Sequence, residues 1–221
     1  MTLTSPKAVL FDLDGTFLDS APDFLWVVNH LREKYGFPQL AEETIRQQVS
    51  NGGSALTEIC FEISREDDGF PEKLAILLDC YQTHLGVTSG MFEGIPELIA
   101  FCQQSDIAWG IVTNKPRRFT DPLLENLKIN CPLVICPDDV TTPKPNPESL
   151  LLAAKRLNLA PEECWYVGDH IRDIEASHAA NMPAIAVSYG YIEDDDNINS
   201  WNADVIVDHA EEIISLIQQT S

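Results

Sequence analysis

From about Trp109 onward, short apolar runs alternate with longer stretches of helical periodicity, and that alternation leaves few architectures open. The runs Trp109–Val112, Leu133–Ile135, Trp165–Val167, Ala184–Val187 and Val205–Val207 are a few residues long and rich in Val, Ile or aromatics. Strands buried on both faces of a sheet have this character. Ala8–Phe11 is a sixth such run near the start. Helical patterns over Arg117–Leu127, Pro147–Leu157, Ile171–Ala180 and Glu211–Gln218 separate or follow the later runs. The order predicts an α/β fold: a doubly wound, mostly parallel sheet with helices on both faces and a ligand site at the carboxyl ends of its strands.

The stretch from about Ser20 to His84 breaks the alternation. Pro22–Tyr35 carries Leu25, Val28 and Leu31 at helical spacing and stops at Gly36; Ser54–Ile63 and Pro71–Leu85 look similar, and no convincing strand intervenes. An all-helical block between the first and second strands reads as an insertion. The expected organisation is a core of residues 1–19 and 87–221 with a helical cap of residues 20–86.

Charge narrows the partners. The chain of 221 residues has 14 Lys+Arg against 35 Asp+Glu, a formal net charge of −21. Nucleic acid and anionic membranes need clustered cations, so neither is an expected partner. An anionic substrate is repelled at long range, so its site must carry local positive charge. No apolar run approaches the length of about 18 residues of a membrane span, and Met1–Pro6 lacks the pattern of a signal peptide. Cys60, Cys80, Cys102, Cys131, Cys136 and Cys164 stand singly, with no C-x-x-C pair. They read as reduced thiols of a cytoplasmic protein. Sequence gives no oligomeric state.

Four features carry candidate chemistry. Phe11-Asp12-Leu13-Asp14-Gly15-Thr16 follows the first run. Two carboxylates two residues apart at a strand end face one point if the chain turns, and Gly15 permits the turn. One can attack phosphorus and help bind a metal while the other exchanges protons; alternatively Asp14-Gly15 is a hairpin turn. A calcium loop is excluded, because it needs Gly at its sixth position and here Gly is fourth. Thr113 and Asn114 end the second run, suited to phosphate oxygens or to capping the next helix. Lys144 sits between Pro143 and Pro145, which restrict its backbone. It is either a fixed cation for phosphate or a surface turn. Asp169 and Asp173 follow Val167-Gly168 and share a face if helix begins at His170. Beside Asp12 they could hold a hard cation such as Mg²⁺; Asp169 alone could be a helix cap.

Together these motifs resemble the haloacid dehalogenase superfamily of phosphatases, in the phosphoglycolate phosphatase-like group, over nearly the whole chain. The resemblance implies a Rossmann-like core and a helical cap. It implies Asp12 as nucleophile, Asp14 as general acid/base, and Thr113, Asn114 and Lys144 around the phosphoryl group. It also implies Mg²⁺ bound by Asp12, the main-chain carbonyl of Asp14, and Asp169, with Asp173 in support. His170 departs from the small or acidic residue of many relatives. Ser50-Asn51-Gly52-Gly53, the run Gly110–Thr120 and Tyr189-Gly190-Tyr191-Ile192 are similar to the bacterial subgroup acting on N-acetylmuramic acid 6-phosphate in cell-wall recycling. That subgroup is readily confused with the 2-phosphoglycolate phosphatases. On this likeness Asn51, Gly52 and Gly53 read the leaving group, and Arg117 or Arg118 meets a substrate carboxylate; the arginines also fit as solvated helix charges. The substrate expected is a small phosphate ester. A sugar phosphomutase would use the same carboxylates, and a non-catalytic phosphate-binding module would not need them all. A haloacid dehalogenase would not require Asp14.

Overall fold

The first apolar run folds as β1 (Ala8–Phe11), and all four of its residues are buried. Three residues after Gly15 comes a two-residue strand, β2 (Leu18–Asp19), and then four helices: α1 (Ala21–Tyr35), α2 (Glu42–Arg46), α3 (Gly52–Phe61) and α4 (Phe70–His84). β3 (Gly90–Met91) runs antiparallel to β2, pairing Leu18 with Met91 and Asp19 with Gly90. The remaining elements are α5 (Ile95–Gln104), β4 (Ala108–Val112), α6 (Arg117–Asn126), β5 (Val134–Ile135), α7 (Glu148–Leu157), β6 (Cys164–Gly168), α8 (Ile171–Ala179), β7 (Ala184–Val187), β8 (Val205–Val207) and α9 (Glu211–Thr220). This computed structural model describes residues 3–220; Met1, Thr2 and Ser221, at the ends of the expected core range, lie outside the described residues.

The main sheet has the order β5-β4-β1-β6-β7-β8, with every pairing parallel. The chain winds outward from β1 to β4 and β5, crosses back, and winds the other way through β6, β7 and β8. Beside β1 the winding reverses, which is where open α/β sheets place their ligands. Alternate residues of β1 face opposite layers. Val9 and Phe11 join the core that includes Leu98 and Cys102 of α5, Leu123 of α6 and Ile213 of α9. Ala8 and Leu10 join Leu150 and Ala153 of α7 and Ala176 of α8. Register places Phe11 beside Ile111 and Val167, so β1, β4 and β6 end level with one another.

Inside the helical block, Arg32 of α1 is buried and donates to the carbonyls of Pro38, Ile59 and Cys60, the last two near the end of α3. A buried guanidinium is tolerated only when its donors are answered in this way. Gly36 closes α1 at φ 80°, and the Phe37 N–H returns to the Arg32 carbonyl at 2.8 Å. Asp23, also fully buried, accepts from the backbone N–H groups of Gly86, Thr88 and Ser89 and from both hydroxyls, at 2.6–3.2 Å. It ties α1 to the segment that returns the chain to the sheet.

The helices and main-sheet strands lie where the periodicity puts them, within a residue or two. Four of these elements were not anticipated: the paired β2 and β3, the five-residue α2, and α5, whose Ile95, Leu98 and Cys102 are buried. Trp109, Trp165 and Trp201 are buried. Trp26 is 43% exposed and stacks between His30 and His84, at ring distances of 4.6 and 3.9 Å. All six cysteines are free.

Candidate active site

The level ends of β1, β4 and β6 gather the acidic and basic residues that the sequence scatters. Asp12 leaves β1 with its N–H on the Val167 carbonyl at 2.9 Å, and its carboxylate accepts from the Leu13 N–H at 2.7 Å. Lys144 arrives from the loop after β5. Its ammonium lies 3.0 Å from Asp12 Oδ1, 2.8 Å from Asp173 Oδ1 and 2.6 Å from the Tyr166 hydroxyl, with the side chain fully buried. Burial alone would lower its pKa, but Asp12 and Asp173 outweigh that and raise it, so the lysine stays charged.

Asp169 follows β6 and is buried. Its carboxylate accepts from the Thr16 hydroxyl at 2.9 Å, the Tyr191 N–H at 3.0 Å and the Ser50 hydroxyl at 3.2 Å. Burial, then the neighbouring charges of Asp12 and Asp173, push it up to about 7. Burial likewise pushes Asp173 up, and Lys144 opposes the rise. Asp12, Asp169 and Asp173 each offer an oxygen within 4.8 Å of the others. Three carboxylates around a single ammonium leave an excess of negative charge, and the donor set is oxygen alone. That combination fits a hard divalent cation.

Asp14 faces elsewhere. Lys115 Nζ stands 3.0 and 3.1 Å from its two oxygens, and the Ser20 hydroxyl donates to it at 2.5 Å. Lys115 is nearly buried, 4.8 Å from the Tyr81 ring centre and 5.3 Å from that of Phe24. Asp12 and Asp14 therefore have separate cationic partners, one backed by Lys144 and the other by Lys115.

A family described as haloacid dehalogenase-like hydrolase matches residues 9–187. The chain belongs to this family. Among haloacid dehalogenase-like relatives, the N-acetylmuramic acid 6-phosphate phosphatase of Pseudomonas aeruginosa is 42% identical over 215 residues, 96% of this chain and 95% of that protein. A phosphoglycolate phosphatase of Xanthomonas campestris is 39% identical over 208 residues, 92% of each. The crystal structure of a predicted phosphoglycolate phosphatase from Haemophilus somnus superposes with a TM-score of 0.84 at 24% identity, covering 96% of this chain and 98% of that one.

In this hydrolase the helical block and the sheet enclose a cavity of about 320 Å³ above Asp12 and Asp14. Thr113, Asn114 and Lys115 line it from the sheet side; Phe24, Val49, Leu74, Leu78 and Tyr81 line it from the helices. The turn before α3 bonds directly to the sheet end. Besides Ser50 on Asp169, the Ser50 carbonyl accepts from Arg172 at 2.6 Å, and the Asn51 amide donates to Glu193. Arg46 pairs with Asp19 at 3.1 Å.

The expected residues fall into two sets. Asp12, Asp14, Thr113 and Asn114 share the cavity with Asn51, Gly52 and Gly53. Lys144, Asp169 and Asp173 lie against Asp12. Arg117 does not join them. Its N–H donates to Asp138 at 2.8 Å, and its guanidinium pairs with Asp121 and Asp139. The i, i+4 spacing to Asp121 holds it on the outer side of α6, and Arg118 lines the cavity instead. Asn114 lines the cavity and also holds the Lys144 loop: its amide donates to the Lys144 carbonyl at 2.9 Å and accepts the Lys144 N–H at 3.1 Å. The side chain thereby fixes the lysine's backbone. His170 caps α8, with Nδ1 accepting the Arg172 N–H at 3.1 Å; burial, then Arg172, lowers it to about 4. Sequence reasoning assigned no role to Lys115, Tyr81, Tyr166 or Arg172. Lys115 stands two residues after Thr113 and was within reach of a motif reading; Tyr81 and Tyr166 reach the site only through tertiary packing.

Proposed function

We propose that this chain is a Mg²⁺-dependent phosphatase that hydrolyses N-acetylmuramic acid 6-phosphate in the cytoplasm through an aspartyl-phosphate on Asp12. Residues 20–86 act as a cap over a core of residues 1–19 and 87–221. The observation that carries the reading is the cluster of Asp12, Lys144, Asp169 and Asp173 at the switch point of the sheet. The substrate rests on the Pseudomonas likeness, which runs through the helical block as well as the sheet.

Asp12 has one oxygen held by the Leu13 N–H and Lys144, which orients the carboxylate for in-line attack on phosphorus. Thr113, in the same cavity, and Lys144 hold the phosphoryl oxygens. Asp14, protonated, gives its proton to the departing sugar oxygen; as a carboxylate it then takes one from the water that cleaves the acyl phosphate. Lys115 and Ser20 keep Asp14 aimed at the leaving group through both halves. Asp12, Asp169 and the Asp14 main-chain carbonyl would hold Mg²⁺, with Asp173 beside them, and the ion would offset phosphoryl charge.

Phosphate release with Mg²⁺ from N-acetylmuramic acid 6-phosphate, 2-phosphoglycolate and p-nitrophenyl phosphate tests the reading. The highest kcat/KM is expected on the muramic acid ester. Preference for 2-phosphoglycolate would favour the second reading, which the Xanthomonas relative supports. Return of phosphate to a sugar without net release would indicate a mutase.

A further inference from the structure

The cavity has a polar wall that the chemistry at phosphorus does not use. Tyr81 of α4 is buried at 1% exposure and lines the cavity, yet its hydroxyl has no hydrogen-bond partner among the described residues. A buried hydroxyl without a partner costs about 1–3 kcal/mol, so such a group commonly marks a place that a ligand completes. Tyr81 packs on Phe24 at 4.0 Å and on Phe119 at 5.6 Å between ring centres. Phe119 in turn supports Arg118, whose guanidinium carbon lies 4.4 Å from its ring centre. Arg118 lines the cavity and makes no ion pair among the described residues. Its neighbour Arg117 is doubly paired. At the inner end of the same row stands Lys115, engaged with Asp14.

Lys115, Tyr81, Phe119 and Arg118 thus form one continuous strip leading outward from the leaving-group side of the site. Its polar members are all able to donate, and among the described residues Asp12 and Asp14 are the acids that line the cavity. In a chain of net charge −21, Arg118, solvent-exposed at the cavity's edge and in no ion pair among the described residues, is a local exception to the surrounding field. The strip suits an anion carried by the leaving group, at a distance from phosphorus. Burial, then Asp14 and Asp23, hold the Tyr81 phenol well above its ordinary pKa, so it remains a donor.

We propose that Tyr81 and Arg118 form a carboxylate subsite that selects phosphate esters whose leaving group carries an acid. The inference rests on the proposed phosphatase reading and deepens it. N-acetylmuramic acid 6-phosphate has such an acid on its lactyl ether, and 2-phosphoglycolate has one directly.

The test compares N-acetylmuramic acid 6-phosphate with N-acetylglucosamine 6-phosphate, the same sugar without the lactyl acid. Arg118→Ala and Tyr81→Phe are assayed with Mg²⁺, and circular dichroism checks the fold. A hydrogen bond to a charged group is worth about 1.5–3 kcal/mol, so each variant should lose about 10- to 100-fold in kcat/KM on the muramic acid ester. The loss should come mainly through KM, as for an interaction made equally in ground and transition states. On the glucosamine ester the loss should be several-fold smaller, and Arg118→Lys should recover part of the preference. Equal losses on both esters, or an unaltered preference in both variants, would overturn the subsite. If the wild type turns over neither sugar ester but hydrolyses 2-phosphoglycolate, the substrate reading has failed and the subsite has not been touched. The same variants then face 2-phosphoglycolate against ethyl phosphate. A loss larger on the acid-bearing ester supports the subsite, and equal losses overturn it.

Discussion

The sheet end and the cavity wall a short way above it treat polar groups in opposite ways. At the sheet end each group is answered by another: Lys144 meets Asp12, Asp173 and Tyr166, and Asp169 takes three donors. On the wall, among the described residues, the Tyr81 hydroxyl has no hydrogen-bond partner and Arg118 no ion pair. The contrast separates two jobs. Charge stabilisation during phosphoryl transfer is the same for every ester, and it works best with dipoles and charges fixed beforehand. Recognition of one ester among many works through groups that the right substrate satisfies and the wrong one leaves wanting.

If the sheet end is the preorganised half, changes there should cut turnover without altering preference. Asp12→Asn removes the anionic nucleophile and keeps the shape. It should lower kcat by about a thousandfold or more, because an activated nucleophile contributes several kcal/mol of barrier lowering. Retention of more than about a tenth of wild-type turnover would contradict covalent catalysis by Asp12.

Chelation should have a comparable effect, and stability should report on it independently of activity. Asp169 is raised to about 7 and Asp173 is raised too. Groups raised above their unfolded values favour the metal-free fold when protonated. That contribution is fully present below about pH 4 and is lost as pH climbs through 7. Mg²⁺ needs the ionised forms, so it should raise the melting temperature more at pH 8 than at pH 5.5. A larger rise at pH 5.5 would show that these carboxylates are not the ligands.

Lys144→Ala comes next. It takes the cation from among Asp12, Asp169 and Asp173, and should cost about a hundredfold in kcat on carboxylate-bearing and carboxylate-free esters alike. Without metal it should also destabilise the fold by about 3 kcal/mol, the cost of leaving buried charge unpaired. A loss confined to one ester would place Lys144 in recognition and dissolve the contrast.

The two halves were also unequally legible in sequence. Asp12, Asp14, Thr113, Asp169 and Asp173 follow strands whose apolar runs are visible by themselves, so position along the chain sufficed. Lys144 was marked by its two prolines. The wall has no such local signal. Tyr81 sits in the apolar stripe of α4 like any core aromatic, and only packing against Phe24 and Phe119 turns it toward the cavity. Arg117 and Arg118 are adjacent in sequence and equivalent in chemistry; the rotation of α6, anchored by Asp121 and Asp139, decides between them. β2 and β3 have two residues each, too few for periodicity, and α5 was missed although Ile95, Leu98 and Cys102 carry a helical spacing.

The smallest expected effects concern the paired glycines that open α3, where recognition and backbone geometry can be told apart. Gly52 has φ +78°, and a Cβ there would meet nothing within 4 Å. Gly52→Ala therefore places its cost in the backbone, about 1 kcal/mol for a left-handed non-glycine residue, or about 2–4 °C in melting temperature for a domain of this size. A Cβ on Gly53 would instead lie 2.9 Å from Leu78 Cδ2. Leu78 lines the cavity, so a turn of its terminal methyl toward that space would narrow it. Gly53→Ala should raise KM for N-acetylmuramic acid 6-phosphate about threefold, the scale of a fraction of a kcal/mol, and should affect the smaller p-nitrophenyl phosphate less. Gly52→Ala should leave the ratio of the two substrates where it is. If Gly52→Ala shifts that ratio more than Gly53→Ala does, the left-handed turn itself sets the cavity's shape, and recognition begins in the backbone that opens α3.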